Sequence, residues 1–452
     1  MKVIICGAGQ VGSAICEALW KTTNIVLIDR DEDKVNELYS TYDIQGIVGS
    51  STSMNILKEA GIETGDIFLA VTNSDETNMI SAIIAENCGV PHVYARVRNP
   101  EYLEDIPFMK SALGLSEMIN PELDAGKLID QILSFPTANS IENFANGKLQ
   151  IVGMTVKPNS ILDGKTLDEF RSAIDQRIII CAVEREGQVL IPNGAFRVQA
   201  GDQIHVTATR DNLKKFYNVL KFQKKSARKI LIIGGGQMTY YLLERLSKRN
   251  KEVKVIEADY KRCNELALAF PDFEIIHGDG TDQKLLAQEG IEKYEAMVAL
   301  NDIDEENMIV SLYAKSCGIP KVITKIDRPY FLKSIINLGL DTIITPKRLI
   351  ADKIIRKTRS LKATQNSSLV NLYKLVDEHI EAMEFEVLTE AAITSADLKT
   401  LELVNHTLIT GIFRNGHYIV PDGSDQIQVG DLVTIVTAQT NITDINQLVV
   451  QA

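Results

Sequence analysis

Long apolar runs are missing from these 452 residues. No stretch approaches the roughly 20 consecutive apolar residues that a spanning helix needs, so any membrane attachment is expected to come through a partner. The start, MKVIICGAGQ, carries its apolar run into a glycine-rich motif and not into a secretory h-region with a cleavage site. Cysteine pairing is missing as well. Cys6, Cys16, Cys88, Cys181, Cys263 and Cys317 form no CxxC pair and no zinc or disulfide spacing, so they read as buried reduced thiols in a cytosolic protein with no metal site. Positive charge is in deficit: the formal net charge of −12 argues against a nucleic-acid surface, which needs concentrated positive potential. Pro/Gly-rich tracts and long like-charge blocks are also lacking, and 45% hydrophobic with 24% charged residues fits a chain that folds throughout. Its length predicts about two to four domains.

What the chain does have is an internal duplication, which fixes architecture before any motif is interpreted. VIICGAGQVG at 3–12 answers ILIIGGGQMT at 230–239, and LIDRD at 27–31 answers VIEAD at 255–259. VTNSDETNM at 71–79 aligns with LNDIDEENM at 300–308, followed by CGVPHVYARV at 88–97 against CGIPKVITKI at 317–326. A fainter repeat follows in each half: DGKTLDEF (163–170) with ADLKTLEL (396–403), and IPNG…AGD (191–202) with VPDG…VGD (420–431). Short apolar strands alternating with helical segments mark the first module of each half as parallel βαβ units, and turn-separated strands mark the second as a small α+β domain. The expected fold class is α/β, with two Rossmann-type, doubly wound parallel-sheet domains at 1–126 and 228–350. Each is followed by a small α+β domain, at 140–222 and 368–452. Linkers are expected near 126–140, 222–228 and 351–368, the clearest being KFQKKSARK at 221–229.

The first glycine loop comprises Gly7, Ala8, Gly9, Gln10, Val11 and Gly12, after an apolar strand and before the helical segment SAICEALW. In this context Gly7 permits the tight turn, Gly9 lets the backbone approach a pyrophosphate, and Gly12 lets helix and strand pack closely. The helix N-terminus offers free N–H groups and a positive dipole end. Asp29, closing the next apolar strand, is placed to accept hydrogen bonds from ribose hydroxyls, which favours NAD(H) or an adenine nucleotide over NADP(H), with Arg30 beside it as the counter-indication. The second loop keeps Gly234, Gly236 and Gln237, has Glu257 as its acidic residue, and puts Thr239 where the third glycine should stand. That β-branched side chain either shifts the helix or is absorbed by repacking. Other strand ends complete each site: Ser50, Ser51 and Thr52, then Thr72 and Asn73, in the first half, and Asp279, Thr281, Leu300 and Asn301 in the second. Arg96 and Arg98, with Lys325 matching Arg96, are expected either to neutralise phosphate or to form salt bridges.

These residues together resemble the TrkA family, the peripheral regulators of Trk potassium transporters, in which each half holds an RCK/KTN nucleotide-binding domain and a smaller C-terminal domain. The likeness spans essentially the whole chain, and its most specific pieces are GAGQVG, VTNSDETNM, GGGQ at 234–237 and the duplicated module order. The resemblance implies a homotetrameric ring beneath an integral-membrane Trk-type potassium transporter, on the cytoplasmic face, whose shape responds to bound NAD(H) or ATP/ADP. It also implies that the helices after the Rossmann modules let subunits cross over and dimerise. One of these, KRLIADKIIRKTRSLK (347–362), places Ile350 and Ile354 on one face among many cations, the pattern of a packed helix with a basic face or of a surface for an acidic partner or membrane.

Two other classes compete. A dehydrogenase needs a proton donor or acceptor beside the nicotinamide, and His92, His205, His277, His379, His406 and His417 are scattered with no motif-like partner. The small modules also look too short to enclose a substrate. A ligand-responsive repressor needs a DNA-reading element, and no helix-turn-helix pattern stands out. No catalytic residue is expected.

Overall fold

The computed structural model describes residues 1–135, 138–173, 177–220, 226–328, 339–340, 342–361, 367–375, 380–440 and 442–450. The first sheet takes β1 (Lys2–Cys6), β2 (Asn24–Asp29), β3 (Gln45–Val48), β4 (Ile67–Ala70), β5 (His92–Arg96) and β6 (Glu117–Ile119) in the order β3-β2-β1-β4-β5-β6, all parallel. The apolar runs VIIC and IFLA are buried along their whole length, as strands covered on both faces must be. Strand order reverses between β1 and β4, which opens a crevice at their carboxyl ends.

Next in the chain are β7 (Ser140–Phe144), β8 (Leu149–Thr155), β9 (Ile179–Arg185), β10 (Gln188–Leu190) and β11 (Gln203–Thr209), an antiparallel sheet ordered β10-β9-β11-β8-β7. The second parallel sheet takes β12 (Lys229–Ile233), β13 (Glu252–Glu257), β14 (Glu274–His277), β15 (Ala296–Ala299), β16 (Lys321–Lys325) and β17 (Ile343–Ile344), and repeats the first with the order β14-β13-β12-β15-β16-β17. The second antiparallel sheet takes β18 (Ser367–Leu375), β19 (Ile380–Val387), β20 (Thr407–Arg414), β21 (His417–Ile419) and β22 (Leu432–Thr437), ordered β18-β19-β22-β20-β21. The fold is thus two Rossmann-type parallel sheets and two small antiparallel ones. The repeated Gly-Asp pair of the small domains acquires a reason here. Asp202 and Asp431 are buried, and each receives a forked pair of hydrogen bonds, from Arg185 (2.7 and 2.7 Å) and Arg414 (2.8 and 2.7 Å).

The halves cross. Helix Pro121–Ser134 leaves the first Rossmann sheet and packs its apolar face on helix Gln237–Leu246 of the second half. At the crossing a Cβ on Gly126 would lie 3.3 Å from Tyr241 Cβ and from Leu242 N, so the backbones meet closely. Helix Pro346–Ser360 does the same against Gln10–Leu19 of the first half, through Ile350, Ile354 and Ile355 on Val11, Ile15 and Leu19. One core joins the first small domain to the second Rossmann domain, another joins the second small domain to the first, and a third packs the two small domains together. The crossover expected between subunits is therefore present inside this one chain. The expected boundaries at 126 and 350 fall within these two helices. Of the expected linkers, residues 136–137, 222–225 and 362–366 lie outside the described residues.

Glu142 stands where the first small domain, helix Pro346–Ser360 and β18 meet. Burial first, then the charge of Asp352, pushes its carboxyl up to about 8 against the opposing pull of Arg348 and Arg356. The folded chain holds a proton there that the unfolded chain releases near 4.5, so this carboxyl's contribution to stability falls as pH rises from about 4.5 through 8. The Glu142→Gln variant is expected to melt with the parent at pH 5 and a few degrees above it at pH 8. Equal melting temperatures at both pH values would refute the burial of this charge.

Candidate functional site

The crevice of the first sheet is floored by its glycine loop. Gly7 has φ +116°, and a Cβ there would sit 2.9 Å from the backbone of Val71 and Thr72, so only glycine fits. Gly9 is the N-cap of helix Gln10–Leu19, in extended geometry and with no capping side chain. A Cβ on Gly9 would meet nothing within 4 Å, which leaves open space in front of the first-turn N–H groups. On Gly12 the same atom would lie 1.8 Å from the Gly7 carbonyl oxygen, so strand and helix touch at that point.

A cavity of about 270 Å³ opens on this loop and is bordered by Gly7, Gly9, Asp29, Arg30, Ser51, Thr72 and Asn73 of the expected residues. Lys34 borders it too, outside every quoted motif, and so do Ser74 and Thr77, which lie within VTNSDETNM but are not among the expected site residues. Asp29 Oδ2 accepts from Ala8 N at 2.6 Å and Oδ1 from Asp31 N at 2.9 Å, so the carboxylate first holds the loop and keeps lone pairs for another donor. Arg30 donates to Ser50 Oγ at 2.9 Å, which in turn contacts Thr52 Oγ1 at 2.9 Å. Ser51 is buried and accepts from Ser81 Oγ at 2.8 Å. Lys34 pairs with Asp31 at 2.7 Å on the rim. Its counterpart in the aligned second half is Arg262, and that recurrence of a cation two residues before NEL is the signal by which the sequence could have marked it.

The second loop copies the first with one difference. Gly234 has φ +94°, Gly236 caps its helix and leaves 4 Å of clear space around the position of a Cβ, and Glu257 accepts from Gly235 N and, at 2.7 Å, from Asp259 N. Thr239 stands in Gly12's place fully buried, and its hydroxyl donates to Gly234 O at 2.5 Å. The side chain is thus absorbed at the point of contact. Gln237 opens the helix. Arg262 donates through Nε to Gly235 O at 2.7 Å, laying a guanidinium against the loop. Asp279 accepts from Thr281 N and Oγ1 at 2.8 and 2.7 Å, and these bonds hold its carboxyl below the usual range.

The densest sequence repeat turns out to be the bracket that holds each rim. Asn78 accepts from Thr72 N at 2.8 Å and donates to Arg96 O at 2.9 Å; Asn307 accepts from Asn301 N at 2.8 Å and donates to Lys325 O at 3.1 Å. Asp75 takes the N–H groups of Arg98 and Asn99, and Asp304 those of Asp327 and Arg328. Both asparagines and both aspartates are buried. The three cations at the fifth strands form ion pairs: Arg96 with Glu122 at 2.7 Å, Arg98 with Asp75 at 3.3 Å, and Lys325 with Asp327 at 3.0 Å. Each of these cations is thus paired with an acid near its own strand end.

The TrkA-N domain model matches residues 3–121 and 230–346, and the TrkA-C domain model matches 151–221 and 382–449. The chain is 30% identical over 443 residues to Trk system potassium uptake protein TrkA homolog 1 of Methanosarcina mazei, covering 96% of this chain and 97% of that protein. It is 27% identical to the TrkA homolog of Archaeoglobus fulgidus, covering 99% and 100%. Among solved structures, the GsuK channel bound to NAD aligns with a TM-score of 0.64 at 14% identity, over 96% of this chain and 76% of the channel.

Proposed function

This chain belongs to the TrkA family, and from that premise we propose that it is the cytoplasmic, nucleotide-binding gating subunit of a Trk-type potassium uptake transporter. The observation that carries this reading is the pair of open helix N-termini at Gly9 and Gly236, each facing a strand-end carboxylate, Asp29 or Glu257. A Cβ would fill the space that each loop leaves open, and a phosphate group fits that space and the N–H groups behind it. The regulatory ligands on this reading are NAD(H) and ATP or ADP, held by the loops and not consumed. Among the described residues no helix is long and apolar enough to cross a membrane, so the partner supplies the pathway. Four copies forming a ring on the inner face of the membrane would carry the effect to it.

The crossing of the halves supports a route from ligand to shape. Each loop helix begins at a glycine loop and packs along its side on the crossover helix of the other half. A ligand that prefers one setting of the loop helix therefore biases the placement of the opposite half, and it shifts the two settings only by its difference in affinity for them. Rubidium uptake into proteoliposomes holding the cognate transporter tests the proposal. The flux is expected to change with nucleotide only when this chain is added, and a flux that ignores both chain and nucleotide would dismiss it.

A further inference from the structure

The duplication lets the two helix crossings be compared side by side, and they are not built alike. Where helix Pro121–Ser134 meets Gln237–Leu246, large side chains fill the groove. Asn120 donates to Tyr241 Oη at 3.1 Å, and the buried Asp130 receives Arg245 at 3.1 Å and Arg249 at 2.9 Å. Aligned on their glycine loops, the residues of the first half corresponding to Tyr241, Arg245 and Arg249 are Ala14, Ala18 and Thr22, and with the crossover helices aligned on Pro121 and Pro346, Ile355 replaces Asp130. The plug is gone, and a cavity of about 540 Å³ lies there, within the range of small-molecule sites.

The lining of this cavity has a definite chemistry. Five cations, Lys21, Lys347, Arg348, Arg359 and Lys374, face three carboxylates, Glu17, Asp352 and Glu381. Arg359 and Glu381 neutralise each other through a fork of 2.7 and 2.9 Å. The remainder is net positive, in a chain whose net charge is −12. Lys347 and Arg348 lie in the first turn of helix Pro346–Ser360, where Thr345 makes no side-chain cap and no acidic residue stands. Both cations add to the positive potential at the N-terminal end of this helix dipole, which favours a bound anion there. The duplicate helix shows the ordinary solution, with Asn120 capping Leu123 N at 2.8 Å and Glu122 and Asp124 in the first turn. Trp20 and Tyr42 form an aromatic wall, with ring centroids 5.9 Å apart.

We propose that this cavity is a second ligand site, separate from both glycine loops, for a small phosphate-bearing molecule that carries an aromatic ring. The phosphate sits against Lys347, Arg348 and the helix N-terminus, and the ring against Trp20. The assignment does not depend on the nucleotide reading, since no residue of either loop borders the cavity.

Trp20 is the single tryptophan of the chain and borders this cavity but neither glycine loop, so its emission reports on ligands bound beside it. Titration of the full chain with phenyl phosphate is expected to give a saturable change in Trp20 emission. The Ala18→Arg/Ile355→Asp variant, which rebuilds the plug of the other crossing, is expected to lose that change. Lys347→Glu, at a position outside the core, is expected to weaken binding about tenfold or more and keeps the test decisive if the double variant fails to fold. NADH binding to Lys347→Glu is expected to match the parent. No saturable change in the parent, an unaltered titration in Lys347→Glu, or displacement of phenyl phosphate by NADH at a glycine loop would each overturn the proposal.

Discussion

Gly9→Asp is expected to lower nucleotide affinity at the first loop by about 100-fold or more, the equivalent of about 2.7 kcal/mol, while leaving the melting temperature of the protein unchanged. The two halves of this expectation have separate causes. The fold tolerates the side chain because a Cβ on Gly9 meets nothing within 4 Å, and the residue's backbone is already extended. Binding does not tolerate it, because the new carboxylate lies before the first-turn N–H groups, takes their dipole for itself and repels an approaching phosphate. Gly236 is open in the same way, so Gly236→Asp is expected to silence the second loop alone and the double variant to silence both. Calorimetric titration with NADH checks this. Full affinity in the folded double variant would mean that the helix N-termini do not hold the ligand.

Gly12→Val is expected to destabilise the protein by about 1–3 kcal/mol, whereas Gly12→Thr, identical in shape, is expected to recover about 1 kcal/mol of that loss. A Cβ on Gly12 collides with the Gly7 carbonyl oxygen at 1.8 Å, and that oxygen is backbone with no flexible end to yield. Helix and strand must separate. The second half already carries a threonine at this contact, its hydroxyl donating to the Gly234 carbonyl at 2.5 Å. Threonine can make the same bond to Gly7 O, and valine leaves the crowded carbonyl with a methyl group. Chemical denaturation of the two variants gives the difference directly. Equal losses would show that the Thr239 bond has no energetic part in the second loop.

Much of the architecture is legible in the order of amino acids alone. Glycines at 7, 9 and 12 after an apolar strand specify a turn, an open approach and a tight contact, and each appears at its place. The tandem order of parallel and antiparallel sheets also follows from strand spacing. Side-chain direction does not follow: Arg96, Arg98 and Lys325 stand at strand ends, but nothing in the chain order says that Glu122, Asp75 and Asp327 lie within ion-pair distance. Asp29 reads as a ribose acceptor, and its first partners are the N–H groups of Ala8 and Asp31, a local bond that hydrophobic patterning does not reveal. The crossing of the halves is the largest gap. An apolar stripe on Pro346–Ser360 says that the helix must be covered, and it does not say whether the cover comes from another subunit or from residues more than three hundred positions earlier in the same chain. The expected boundaries at 126 and 350 fall inside helices for the same reason, since a helix shared between two bodies gives no break in composition.

The central claim is that the duplicated loops bind an adenine nucleotide and read it without consuming it. Isothermal titration of the intact chain with NADH, followed by ATP and ADP, with the nucleotide recovered and identified afterwards, addresses it most directly. Saturable binding with the ligand returned unchanged is the predicted result. Heats indistinguishable from dilution for all three nucleotides, or steady conversion of the ligand, would contradict the claim.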